Sequence, residues 1–238
     1  MQATRHAGHE CVEVDAGSFV ARITVDVGPR ILHFGPADGP NLLAELPNAT
    51  LDGPHGTYRL RGGLRLWTAP EVTDSTYRPD DVPFLVGSVD GLVTVAAPSD
   101  GSGLERRLDL RAEGDELVVG HRVTNVGGDP MAVAPWAITQ LPVGGDAILP
   151  MAPAGPSAFE ASHALVLWPY TRLDDERLTF GTDHVLVRGT DAADPVKVGA
   201  APGSGRLGYL RDGWLFVKSA PIPDPPLADR GAAAQVYN

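Results

Sequence analysis

The sequence predicts an all-β protein of antiparallel strands, arranged as a sandwich or supersandwich. Three observations carry this expectation. Apolar and polar residues alternate over much of the chain, as strands with one buried face require. The alternating runs are short and separated by turn formers such as DG, GSG, EGDE, GGDP and PGSG. With 28 Gly and 22 Pro, long helices would be interrupted repeatedly.

The elements follow in order. In FVARITVDV, Phe19, Ala21, Ile23, Val25 and Val27 fall on one face, and Arg22, Thr24 and Asp26 on the other. GPR then turns the chain, ILHFG resumes an extended run, and PADGPN closes what reads as a hairpin. Further strands are predicted at FLVGSV, GLVTVAA, LERRLDLRA, ELVVGHRVTNV, MAVAPWAITQL, ALVLWPY, HVLVRG, RLGYLR and GWLFVKS. The opening MQATRHAGHE shows no period, so residues 1–11 are expected to be flexible, and its two histidines lack a third metal ligand. The tail APIPDPPLADRGAAAQ reads as an excursion or arm rather than core. No linker divides the chain, so a single domain over 1–238 is expected.

Composition excludes several functions. A formal charge of −11, spread without basic clusters, leaves no footprint for nucleic acid. A lone cysteine, Cys11, forms no intrachain disulfide, and no Cys/His spacing resembles a zinc site, so neither a metal nor a cofactor is expected. There is no signal-peptide pattern and no apolar run of membrane-spanning length, and a cytoplasmic protein without a membrane partner is the expectation. Ser/His/Asp motifs, phosphate-binding loops and nucleotide fingerprints are absent too.

RGGLRLWTAPE, residues 61–71, is the densest constellation. Gly62 and Gly63 read as a bulge or tight strand entry, with close approach to a ligand as the functional alternative. If 63–67 is extended, Arg65 and Trp67 share a face with Gly63, while Leu64 and Leu66 point to the other layer. A guanidinium offers fixed donors to hydroxyls or a carboxylate, and an indole offers an apolar plane to a sugar ring. The alternatives are that Arg65 pairs with Glu71 or Asp80 and that Trp67 is core. Arg61 and Tyr77 join these as candidate binding residues. Glu71, Asp80 and Asp81 follow prolines in turn-like contexts, either as solvated turn carboxylates or as site residues on loops held by a rigid sheet. His121 runs in phase with Leu117, Val119 and Val123, so it is either a core imidazole or, by elimination, the best general acid. Trp136 and Trp168, each beside a proline, are either rigid cleft aromatics or core.

The order VDVGPRILHFG, GGLRLWTAPE with YRPDD behind it, ELVVGHRVTNVGGDPMAVAPWAIT and then WPYT resembles the galactose mutarotase-like superfamily, across roughly residues 12–238. The resemblance is to a bacterial branch with a Gly-Gly-x-Arg-x-Trp, Pro-Glu and Pro-Asp signature. It implies a β-supersandwich whose concave sheet binds carbohydrate, and an activity that interconverts the anomers of free aldoses. That chemistry needs a carboxylate to deprotonate the anomeric hydroxyl and a histidine to protonate the ring oxygen. In the family, one histidine precedes the Gly-Gly pair, a second follows a Thr-Asn strand end, and the base is a late glutamate. Here Arg61 precedes Gly62, Trp136 stands roughly where the second histidine is sought, and no glutamate follows Glu176. The sequence stops at QVYN where the family adds strands, so the late glutamate lies beyond Asn238 or is absent. The expectation is therefore a carbohydrate-binding protein, monomeric or homodimeric, with Arg61, Arg65, Trp67, Tyr77, Trp136 and Trp168 as substrate-binding residues. The alternative is an aldose 1-epimerase-like isomerase using Glu71, Asp80 and His121 as acid/base groups. A structural or interaction protein that lost its cleft is the third reading.

Overall fold

The computed structural model describes residues 1–153, 155, 157, 159–222 and 228–238. Among them are twenty strands, all paired antiparallel, and a one-turn helix, α1 (Thr73–Thr76). No helix among the described residues is long and apolar enough to cross a membrane. The chain divides into two compact units, Met1–Leu141 and Pro142–Asn238.

The first unit holds β1 (Gln2–His6), β2 (His9–Ala16), β3 (Phe19–Thr24), β4 (Arg30–Pro36), β5 (Glu45–Gly53), β6 (Gly56–Gly62), β7 (Leu64–Ala69), β8 (Leu85–Val89), β9 (Leu92–Ala97), β10 (Leu104–Glu113), β11 (Glu116–Asn125) and β12 (Ala134–Thr139). They form a six-stranded sheet ordered β1-β2-β3-β4-β7-β12, a four-stranded sheet ordered β11-β10-β9-β8, and the hairpin β5-β6. The second unit has a five-stranded and a three-stranded sheet. β15 (Leu178–Phe180), β16 (His184–Arg188), β13 (Asp146–Pro150), β18 (Arg206–Arg211) and β19 (Trp214–Ser219) are neighbours in that order, as are β14 (Ala164–Leu167), β17 (Lys197–Ala201) and β20 (Ala234–Tyr237).

Alternation in the sequence becomes burial. Val12, Val14, Ala21 and Ile23 of β2 and β3 are buried, as are Val93, Val95, Leu108 and Leu110 of β9 and β10. Leu149, Val185, Val187, Val198 and Ala234 gather in the core of the second unit. The strand predicted over 19–27 ends at Thr24, because the Thr24 hydroxyl donates to the Val27 carbonyl and accepts from the Arg30 amide, closing a bend. The opening residues, where no period is visible, form β1 folded back on β2, with His6 opposite His9. Of the tail, 223–227 lie outside the described residues; beyond them Ala234–Tyr237 pairs with β17 and Ala234 is buried, so this part is core rather than arm.

Gly62 and Gly63 join β6 to β7 at φ +90° and +67°. A Cβ at Gly62 would stand 2.0 Å from the Ala44 carbonyl oxygen, and one at Gly63 2.1 Å from that of Ile31. Only glycine meets both the left-handed backbone and the close approach, which is the strand-entry role the sequence indicates.

Candidate functional site

Strand register builds the site. β4 and β7 place Arg30 opposite Arg65, and β7 and β12 place Trp67 opposite Trp136. Facing residues of an antiparallel pair share a face, so two guanidiniums and two indoles form one row, with Leu64 and Leu66 on the reverse. Like charges set opposite each other repel, and the loop after α1 supplies the counter-charge. The Gly28 amide donates to the Asp80 carbonyl at 3.0 Å, fixing that loop beside Arg30.

Asp80 is held from two sides. Arg30 donates to one carboxylate oxygen at 2.7 Å and Arg61 to the other at 3.2 Å. Arg61 also donates to Asp81, which accepts from Arg59 at 3.0 Å. Arg30 is 0% exposed and bonds the Leu60 carbonyl at 2.9 Å and the Tyr58 hydroxyl. Burial alone works against its charge, but the interactions with Tyr58 and Asp80 outweigh it and raise its pKa. Tyr58, 1% exposed, has its own pKa pushed up by burial and accepts a second hydrogen bond, at 3.0 Å, from the Trp67 indole.

Arg65 pairs with neither carboxylate considered for it. Its Nη1 donates to the Gln140 side-chain oxygen at 2.6 Å, and its guanidinium lies 4.1 Å from the centre of the Trp67 ring. Arg65 and Trp67 are each only 6% exposed, so the row is a buried layer rather than the open polar face its alternation indicates. Around Trp67 stand Tyr77, Tyr58 and Trp136, at centroid distances of 5.3, 5.4 and 5.9 Å. Tyr77 and Trp136 are half-buried, and the Tyr77 hydroxyl donates to the exposed Glu71. The outward-facing part of the cluster is thus Tyr77, Glu71 and Trp136.

The structure brings Arg61, Arg65, Trp67, Tyr77, Trp136, Asp80 and, at the rim, Glu71 into this one cluster. His121 stands on β11 of the four-stranded sheet, opposite Leu108, among the apolar positions its phase predicts. Trp168 belongs to the second unit, where the Lys197 ammonium lies 4.1 Å from its ring centre. Sequence reasoning misses Arg30, Tyr58 and Gln140. The only linear signal for Arg30 is its place in GPR, where a cation directly follows a turn at the start of a strand.

Beside the cluster is a cleft of about 30 Å³, lined by Tyr58, Arg65, Trp67 and Asp80 and by Arg78 and Arg106. Arg106 pairs with Asp100 at 2.7 Å. Such a volume takes a water-sized or carboxylate-sized group, not a sugar ring. Comparisons of the chain with protein-family models, curated proteins and solved structures return no significant match.

Proposed function

We propose that the protein binds a carbohydrate at the Trp67 cluster, in a fold of the galactose mutarotase-like, β-supersandwich kind. The observation that carries this reading is the convergence of four aromatic rings with buried, braced guanidiniums. Tyr77, whose hydroxyl donates to the Glu71 carboxylate, and Trp136 are half-exposed, while Trp67, Arg30, Arg61 and Arg65 form the buried layer of the cluster. Aromatic planes take the C–H face of a sugar, and a carboxylate accepts from its hydroxyls. Preorganisation by the buried layer lowers the cost of ordering the site on binding. The order of sequence motifs supports the same reading independently.

Binding is favoured over anomer interconversion by one observation. Both oxygens of Asp80 accept hydrogen bonds from guanidiniums, so this carboxylate braces arginines instead of receiving a substrate proton. The test is a tryptophan-fluorescence titration with a panel of monosaccharides. Trp136→Ala and Tyr77→Ala are expected to weaken binding about tenfold or more, the loss of one stacking or hydroxyl contact. Unchanged titration curves in both variants would sink the assignment. In parallel, the optical rotation of fresh aldose anomers is expected to decay at the buffer rate.

A further inference from the structure

Among the described residues, Arg65 alone of the cluster's guanidiniums has no carboxylate within ion-pair distance. Arg30 and Arg61 share Asp80, Arg59 and Arg61 share Asp81, Arg78 reaches Asp74, and Arg106 pairs with Asp100. Arg65 has the neutral Gln140 oxygen and the Trp67 ring, and its Nε is buried with no hydrogen-bond partner. Desolvation lowers its pKa to about 10, which still leaves it charged at neutral pH. A buried cation without a counter-ion is costly, and its natural complement is an anion that offers two acceptor oxygens to the guanidinium fork. The Nε of Arg106, which also lines the cleft, is likewise buried without a hydrogen-bond partner among the described residues. The space of about 30 Å³ is lined by Arg65, Arg78 and Arg106 and by Asp80 and Asp100; Arg78 and Arg106 have their own carboxylates, which leaves the Arg65 charge uncompensated by an ion pair.

We infer that the ligand is an acidic sugar whose carboxylate enters this cleft and binds Arg65. The sugar half of this inference rests on the carbohydrate reading above; the carboxylate half rests on Arg65 and the cleft. A planar carboxylate matches both the small volume and the two-oxygen geometry of a guanidinium fork. The ring then stays outside the cleft, whose lining includes Trp67, and Tyr77 and Trp136 stand against that indole at centroid distances of 5.3 and 5.9 Å.

The experiment compares glucuronate and galacturonate with glucose, galactose and the neutral uronamides, and with acetate and inorganic phosphate. Binding is read at constant ionic strength by tryptophan fluorescence and by thermal shift. The uronates are expected to bind at least about tenfold tighter than their aldoses and amides, and to raise the midpoint by about 3 °C near saturation. In Arg65→Met, which keeps the apolar stem, the preference should vanish; Arg65→Lys should keep part of it. Should Arg65→Met fail to fold, the uronate-to-amide ratio in the unaltered protein carries the same information. Aldoses binding as tightly as uronates would overturn the inference and leave the carbohydrate reading standing. Protection by acetate with no response to any sugar would leave the anion site and remove the sugar reading, overturning the acidic-sugar ligand. No response to acetate or the uronates, or a response to phosphate alone, would overturn the carboxylate.

Discussion

Asp80→Asn is the most informative perturbation of the cluster. Asp80 neutralises two buried side chains: Arg30 is 0% exposed and the Arg61 side chain 7%. Removing one partner of a buried ion pair costs about 3–5 kcal/mol, because the other charge is left uncompensated. Asp80 itself is 20% exposed, and asparagine keeps one acceptor, so the lower end, about 3 kcal/mol, is expected. For a chain of this size that corresponds to a midpoint about 6–12 °C lower. A contrasting pair is Arg172 with Asp174, whose side chains are 76% and 71% exposed; Arg172→Gln should leave the midpoint unchanged within error, because solvent screens an exposed pair. Calorimetry and urea unfolding give both numbers. The double variant Asp80→Asn, Arg30→Met should be more stable than the two single losses summed, by about 1–3 kcal/mol. An Asp80→Asn protein within about 0.5 kcal/mol of the parent, or an additive cycle, would refute the bracing role.

Three further outcomes follow from other parts of the molecule. His33 is 5% exposed, and burial foremost, with Arg22 and His6 adding to it, lowers its pKa to about 4. Its unfolded value is near 6.5, so the unfolded chain binds the proton first: His33 contributes fully above about pH 6.5, and up to about 3 kcal/mol is lost as pH falls toward 4. His33→Gln should flatten this acid limb in a urea-unfolding series, and an unchanged slope would contradict the assignment. Gly63→Ala should cost about 3 kcal/mol or more, because its Cβ meets the Ile31 oxygen at 2.1 Å, whereas Gly114→Ala, with a similar φ of +61° but open space, should cost about 1 kcal/mol. Equal losses would show that backbone conformation alone matters. Cys11 is 2% exposed, and burial, then Asp26, pushes its thiol up to about 11, so thiol reagents at pH 8 should react about a hundredfold slower than with the urea-unfolded chain.

The fold was legible wherever one strand face is buried and the other is not, as in β9 and β10. It was illegible where both faces are alike. β5 carries mostly exposed residues and β17 almost only buried ones, so neither shows a period of two. β1 is polar on both faces and takes its place by pairing with β2. In the site, the alternation of Leu64, Arg65, Leu66 and Trp67 was readable, but what covers that face was not. Arg30 meets Arg65 through a register set by the β4–β7 pairing, and Asp80 reaches both Arg30 and Arg61 from a loop with no strand pattern. Such long-range pairings decide whether an arginine faces solvent, a carboxylate or neither. Local sequence carries no trace of them.

Whether a sugar settles against the Trp67 cluster is read most directly from the indole N–H signals of the four tryptophans in an ¹⁵N-labelled protein. Titration with the uronates and aldoses is expected to move the Trp67 signal, whose N–H donates to Tyr58, together with that of Trp136, while Trp214 stays in place. Shifts confined to Trp168 and Trp214, or no shift with any sugar of the panel, would contradict a carbohydrate site at this cluster.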